Sequence, residues 1–222
     1  MLLLALDTAT PAVTVALHDG ESVIARSDQV DARRHGELLL PAVDRVLAEA
    51  GRTLDAVTGI VVGVGPGPYT GLRVGIVTAA TFGAALSVPV HGLCTLDGIA
   101  YAAGQAGLTG EFVVATDARR KEVYWARYAD ARTRLTEPAV DRPAELPEQI
   151  ASMPSVGAGA ALYSGVFTDV REELPQHQSA AALAELAAEK LRTGGEFLPD
   201  QPLYLRRPDA QVPANYKVVT PK

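Results

Sequence analysis

The first thirty residues alternate in a way that suits strands. "LLLAL" is a continuous apolar run, and "AVTVALH" alternates and is β-branched. Asp19-Gly20 then marks a hairpin turn, with "SVIAR" as the return strand, so the pattern predicts a three-stranded meander. From "HGELLLPAVDRVLAEAG" the period changes to that of a helix. Leu39, Val43, Val46 and Leu47 fall on one face, Pro41 lies near the first turn, and Gly51 is a stop. "LDAVTGIVVGV" reads as a buried strand. A Gly/Pro loop and a nearly uncharged helix follow in "GVGPGPYTGLRVGIVTAATFGAAL". "VPVHGL" is a short strand and "TLDGIAYAAGQAG" a small-residue helix.

Glycine density rises over 104–110, and the domain boundary is placed there, giving units 1–104 and 105–222. The second unit begins with strands "EFVVATDAR" and "EVYWARYA". It continues through a Pro- and Glu-rich connection, "SVGAGAALY", one clear helix "SAAALAELAAEKLRTGG" and "PLYLRRPDAQ". The tail from about residue 209 reads as weakly structured. Both units open with a strand ending in aspartate, "LALDTAT" and "VVATDAR". That echo predicts two related α/β halves.

The helix after the loop repeats Gly71, Gly75, Ala79 and Gly83 every fourth residue. Interior glycine costs about 1 kcal/mol relative to alanine, so Gly75 and Gly83 need a packing reason. Spacing alone favours close packing on the protein's own sheet over contact with another chain. The loop itself is a poor phosphate cradle. No Lys-Ser/Thr pair follows Gly71, the spacing from Gly65 is G-x-G-x-x-x-G, and Pro66 and Pro68 have no N–H to donate.

Charge and cysteine content narrow the class. The net charge of −6 argues against a surface that grips nucleic acid throughout, although "DARRKEVYWARY" leaves room for a local basic patch. The one cysteine, Cys94, excludes an internal disulfide and fits a reducing compartment. The apolar N-terminus meets Asp7 too early for a signal peptide, and no run reaches membrane-spanning length. A cytoplasmic protein without membrane contact is expected.

"GVGPGPYTGLRVGI", "LALDTATPAVTVAL", "HGELLLPAVDRVL", "TDARRKEVYWARY" and "PLYLR" together cover nearly the whole chain, in an order that resembles the TsaB (YeaZ) family of the actin, sugar-kinase and Hsp70 superfamily. The resemblance implies an α/β fold of two RNase H-like domains with mixed sheets flanked by helices. It implies a role in making threonylcarbamoyladenosine beside the anticodon of tRNAs that read ANN codons. There a separate synthase makes threonylcarbamoyl-adenylate from threonine, bicarbonate and ATP. The paralogue TsaD transfers the group to tRNA, TsaB binds and supports TsaD, and the ATPase TsaE joins that complex. tRNA would be reached only indirectly, and the isolated chain would form a homodimer.

The same resemblance makes this chain a non-catalytic member that needs no cofactor of its own, ATP being used by the synthase and by TsaE. The catalytic paralogue carries His-x-x-x-His on the helix matching "HGELLLP". Here His35 is followed by Leu39, so no metal is expected. The family interface would use His35, Leu38, Leu39 and Val43 of the first helix with Leu72, Gly75, Ile76, Ala79 and Gly83 of the second, which reverses the choice made from spacing. Asp7, Thr8 and Asp117 match phosphate-side positions of the superfamily, and Gly157 and Gly159 match its adenosine segment. They form a residual nucleotide site. Two alternatives stay open: a small-molecule kinase of the same fold, and a tRNA-binding module. No Ser-His-Asp set or G-x-S-x-G elbow supports peptidase chemistry.

Overall fold

The computed structural model describes residues 1–206, so the tail expected from about 209 lies outside the described residues. The predicted meander is present as β1 (Leu3–Asp7), β2 (Ala12–His18) and β3 (Val23–Val30). Its second turn, between β2 and β3, is fixed by Asp19, whose Oδ1 accepts from the Glu21 and Ser22 N–H groups at 2.9 Å each. After helix α1 (His35–Glu49), β4 (Gly59–Gly63) returns parallel to β1. Helix α2 (Tyr69–Leu86) then leads to β5 (Val90–Leu93), parallel to β4. The resulting sheet has the order β3-β2-β1-β4-β5.

After α3 (Thr95–Gln105), the second sheet repeats this plan. β6 (Phe112–Asp117) and β7 (Val123–Asp130) form an antiparallel hairpin, with β8 (Thr133–Arg134) and β9 (Ala139–Asp141) both pairing with β7. The short helices α4 (Glu148–Ala151) and α5 (Ala158–Leu162) flank β10 (Pro154–Val156), and β11 (Asp169–Val170) follows. β10 lies parallel to β6, and β11 parallel to β10. The order β11-β10-β6-β7-β8 is the first sheet's order in reverse listing. Each half is a meander extended by two parallel strands, the RNase H-like arrangement of a mixed sheet. The aspartates of the sequence echo, Asp7 and Asp117, end the corresponding strands β1 and β6.

The middle of the first sheet is covered on both faces, which is why β1 and β4 read as nearly continuous apolar runs. Leu4, Leu6, Val13, Val15 and Leu17 face α1 and α2. Leu3, Ala5, Ala16 and Val61 face a helix from the other end of the chain, α6 (Ala180–Thr193). Ser179 caps α6 by accepting from the Ala182 N–H at 3.3 Å, and Gly194 ends it in the left-handed region. All strands of the first sheet precede those of the second, but the helices cross between the sheets. α6 belongs to the later half of the chain and packs on the first sheet. α3 precedes the boundary and packs on the second, where Ile99 and Ala103 meet Phe112 and Val114. Asp97 of α3 also accepts from the Tyr128 hydroxyl at 2.8 Å and from Arg134 at 2.7 Å.

Candidate functional site: a cleft between the two hairpins

The turn after β1 and the turn after β6 face a common cleft of about 350 Å³. Thr8 and Thr10 contribute from the first turn, and Asp117 and Arg119 from the second. Arg33 and His35 line it at the start of α1, and Tyr69 and Thr70 at the start of α2. The fold thus brings three of the sequence-selected residues, Thr8, His35 and Asp117, to one cavity.

Most of the polar groups there are held by the protein itself. His35 Nε2 lies 2.8 Å from the Thr10 carbonyl, so this ring nitrogen carries the hydrogen and donates. The Thr8 hydroxyl donates to the Gly71 carbonyl at 2.7 Å and accepts from the Gly75 N–H at 2.9 Å. Asp117 Oδ1 accepts from the Arg119 N–H at 2.8 Å, and its Oδ2 pairs with the Arg119 guanidinium at 3.1 Å.

Asp7 does not reach the cleft. It is fully buried; its Oδ1 accepts from the Ala9 N–H and its Oδ2 from the Thr95 hydroxyl, both at 2.8 Å. Burial pushes its carboxyl up to about 6, against the pull of those two donors. Its chemistry is therefore that of a pin between β1 and the start of α3. Gly157 and Gly159 are likewise used internally. A Cβ at Gly157 would strike the Ala115 carbonyl, and one at Gly159 would lie 2.6 Å from the Thr116 carbonyl carbon. These glycines let α5 lie directly on the β6 backbone. Of the expected nucleotide-site residues, then, only Thr8 and Asp117 line the cavity.

The expected interface set needs correction. Leu39, Val43, Leu72, Gly75, Ile76, Ala79 and Gly83 are all buried in this chain's own core, while His35 and Leu38 are half-buried. The glycine ridge faces inward. A Cβ at Gly75 would lie 2.6 Å from Thr8 Oγ1, and one at Gly83 would strike Val90 Cγ2. The packing reason for these glycines is the protein's own sheet, as spacing alone suggested. The outward sides of the two helices carry different residues: Leu40 of α1 is 51% exposed and Val77 of α2 is 61% exposed. Pro41, next to Leu40, and Ala84, about two turns on from Val77, are exposed as well.

The sequence did hold a signal for this second face. Three leucines in a row, Leu38 to Leu40, cannot all share one side of a helix that turns 100° per residue. α2 carries a single charge, Arg73, in eighteen residues, so apolar groups occur around its circumference rather than on one stripe.

Among the described residues, no group of three or more His, Cys, Asp or Glu side chains could hold a metal ion, and no helix is long and apolar enough to cross a membrane. The two repeated sheets and the cleft between their first hairpins define a protein of the RNase H-like α/β class with two such units.

Comparison with known proteins narrows this class. A family model described as "TsaD: tRNA N6-adenosine threonylcarbamoyltransferase" matches residues 25–212. YeaZ from Pseudomonas aeruginosa superposes with a TM-score of 0.80 at 31% identity, covering 92% of this chain and 99% of that one. An uncharacterized protein of Mycobacterium tuberculosis is 43% identical over 94% of this chain and 93% of its own length. The tRNA threonylcarbamoyladenosine biosynthesis protein TsaB of Escherichia coli is 37% identical over 58% of this chain and 55% of its own. The chain belongs to the TsaB/YeaZ family.

Proposed function

We propose that this chain is a non-catalytic subunit that binds a TsaD-type threonylcarbamoyltransferase and supports formation of threonylcarbamoyladenosine next to the anticodon of tRNAs reading ANN codons. The observation that carries the reading is on α1. His35 is committed to the Thr10 carbonyl at 2.8 Å, and the residue one turn on, Leu39, is an apolar side chain only 1% exposed. Two histidines at this spacing could share a metal; a histidine and a core leucine cannot. Asp7, pinned to Thr95 and Ala9, points the same way. The outward apolar side chains Leu40 and Val77 supply a docking face for a partner helix pair. In this reading TsaE joins through the heterodimer, and the isolated chain uses the same face to pair with a second copy. It works in the cytoplasm with no cofactor of its own, ATP being used by the synthase and TsaE.

The test is reconstitution. Co-expression with the TsaD paralogue should give one heterodimer on size exclusion. tRNA modification by synthase, TsaD and TsaE should then depend on this chain. Modification that proceeds unchanged without it would overturn the proposal.

A second reading, a nucleotide-binding enzyme of the kinase type, draws on the 350 Å³ cleft with Thr8, Asp117 and Arg119 on its walls. ATP hydrolysis by the purified chain, lost on Asp117→Ala, would favour it.

A further inference from the structure

The rim of the cleft is positively charged in a protein whose net charge is −6. Arg33 and Arg119 line the cavity. Arg119, Arg120 and Lys121 form the tip of the β6–β7 hairpin, and all three are exposed. Their φ angles are 60°, 57° and 62°, so three consecutive residues with side chains stand in the left-handed region. Each such residue costs about 1–2 kcal/mol, and backbone held this way clusters at functional sites. The tip is closed by the Ala118 N–H donating to the Glu122 carbonyl at 2.9 Å and the Glu122 N–H to the Arg119 carbonyl at 3.0 Å. Of the three, Arg119 lines the cavity, and Lys121 stands two residues further along the same exposed tip.

On the opposite lip, Tyr69 lines the cavity and stacks on Tyr204 with ring centroids 5.5 Å apart. The Arg73 guanidinium carbon lies 4.1 Å from the centre of the Tyr69 ring, and Arg73 Nε donates to the Tyr204 hydroxyl at 2.7 Å. Tyr69 is 53% and Tyr204 43% exposed. Among the described residues, Arg33, Arg73 and Lys121 face no carboxylate partner, so their charge is not neutralised within the chain. Un-neutralised cations interleaved with exposed aromatic rings match an RNA strand, which offers phosphates to the one and base faces to the other. An acidic protein surface would answer the cations but gives the paired tyrosines no role.

We propose that this rim, Arg33, Arg73 and Lys121 around the Tyr69–Tyr204 stack, contacts the tRNA directly during modification. This rests on the functional reading above and departs from the expectation that tRNA is reached only indirectly. Net charge is a sum over the whole chain and does not report where cations gather; at this rim Asp117 is paired with Arg119 and Asp31 with Arg34.

The experiment uses the heterodimer with the TsaD paralogue and a fluorescently labelled transcript of an ANN-reading tRNA. The variant is Arg33→Gln with Lys121→Gln, two exposed positions. The variant heterodimer should elute as the wild type does, while its Kd for the tRNA rises about tenfold. The slope of log affinity against log salt should fall by about 1.4 to 1.8, the loss of two phosphate contacts. Arg33→Lys with Lys121→Arg should keep both Kd and slope. Unchanged Kd and slope in the Gln variant would overturn the proposal. So would loss of the heterodimer with tRNA affinity intact, which would make the rim a contact for an acidic protein. If the wild-type chain forms no heterodimer, it is the functional reading that fails, and the same titration on the chain alone then judges the rim.

Discussion

Thr8 places its hydroxyl between the Gly71 carbonyl and the Gly75 N–H, donating to the first at 2.7 Å and accepting from the second at 2.9 Å. Those are the two groups that an uninterrupted α-helix would pair with each other. The end of β1 is thereby stitched into the first turns of α2, and only glycine leaves room for it. A Cβ at Gly71 would lie 2.8 Å from the Thr8 carbonyl oxygen, and one at Gly75 would lie 2.6 Å from its hydroxyl.

Gly75→Ala should therefore destabilise the chain, although alanine is the better helix former by about 1 kcal/mol. Overpacking against a buried β-strand end costs about 1–3 kcal/mol, and each kcal/mol is about 2–4 °C for a chain of this size. Thermal unfolding should show a Tm lowered by several degrees. The double change Thr8→Ala with Gly75→Ala should fall short of additive, because the clash needs both side chains. A Gly75→Ala protein that melts at or above the wild-type temperature would contradict this account.

Asp7 gives a pH dependence of known sign. Folded, its carboxyl titrates near pH 6 because burial disfavours the charge; unfolded, it titrates near the ordinary value of about 4. Between those values the folded state holds more protons, so the group's contribution to stability is fully present below about pH 4 and is lost as pH rises through 6. The total change is about 3 kcal/mol. Asp7→Asn does not titrate. Urea unfolding at intervals from pH 4 to pH 7 should show the wild type losing stability relative to the variant over this range. Parallel stability curves would remove Asp7 as the cause.

The outward face of α1 and α2 separates binding from folding. Leu40→Asp and Val77→Asp alter exposed side chains and should leave the Tm within about 2 °C of wild type. If this face docks the TsaD paralogue, each should weaken the heterodimer by about 30-fold or more, the effect of a residue central to an interface. Leu39→Asp, one position from Leu40, should instead unfold the chain, because it places a charge in the core. Calorimetric titration of the partner, paired with thermal melts, distinguishes these outcomes. Wild-type affinity in both exposed variants would place the interface elsewhere.

Much of this architecture could be read in the chain. The DG turn, the change from strand to helix period at His35 and the echo of "LALDTAT" in "VVATDAR" gave the meander, the first helix and the paired halves. What could not be read was direction. A ridge of Gly71, Gly75, Ala79 and Gly83 says that something approaches closely; its spacing only leans towards a strand of the same chain over a helix of another, and the family resemblance pointed the other way. Thr8 and Val90, more than sixty residues before and seven after the helix's two critical glycines, decide the matter. Asp7 was similarly ambiguous: a strand-end aspartate looks the same whether it faces a ligand or a buried threonine. The return of α6 to the first sheet was hidden because a face of alanines and leucines carries nothing that names the sheet it covers.

The segment after α6 gives the last prediction. Leu198 pairs with Gly92 at the edge of β5 through two backbone hydrogen bonds, of 2.9 Å and 3.0 Å. The Leu203 N–H then donates to the Val64 carbonyl at 2.8 Å, Tyr204 stacks on Tyr69, and Arg206 donates to the Ala118 carbonyl at 2.8 Å while pairing with Glu122. Nine residues thus run from the first sheet, past the Gly/Pro loop, to the hairpin of the second, and they tie both lips of the cleft together. The anchor of this strap is Gly92, where a Cβ would lie 2.6 Å from the carbonyl oxygens of both Leu198 and Pro199. Those are backbone atoms that cannot turn aside. Gly92→Ala should therefore break the pairing at Leu198 and free the strap from its first attachment. Losing two backbone hydrogen bonds of about 1 kcal/mol each makes local opening easier by about 2 kcal/mol, or 30-fold. Hydrogen exchange at the Leu198 and Leu203 amides should accelerate by about that factor. Amides of β1 and β4, at the centre of the first sheet, should exchange at wild-type rates, because local opening of an edge segment leaves the core closed. Wild-type exchange at Leu203 in the variant would show that Tyr204 and Arg206 hold the strap without Gly92. Uniformly faster exchange through β1 and β4 would show that the strap is part of the global fold rather than a separate latch.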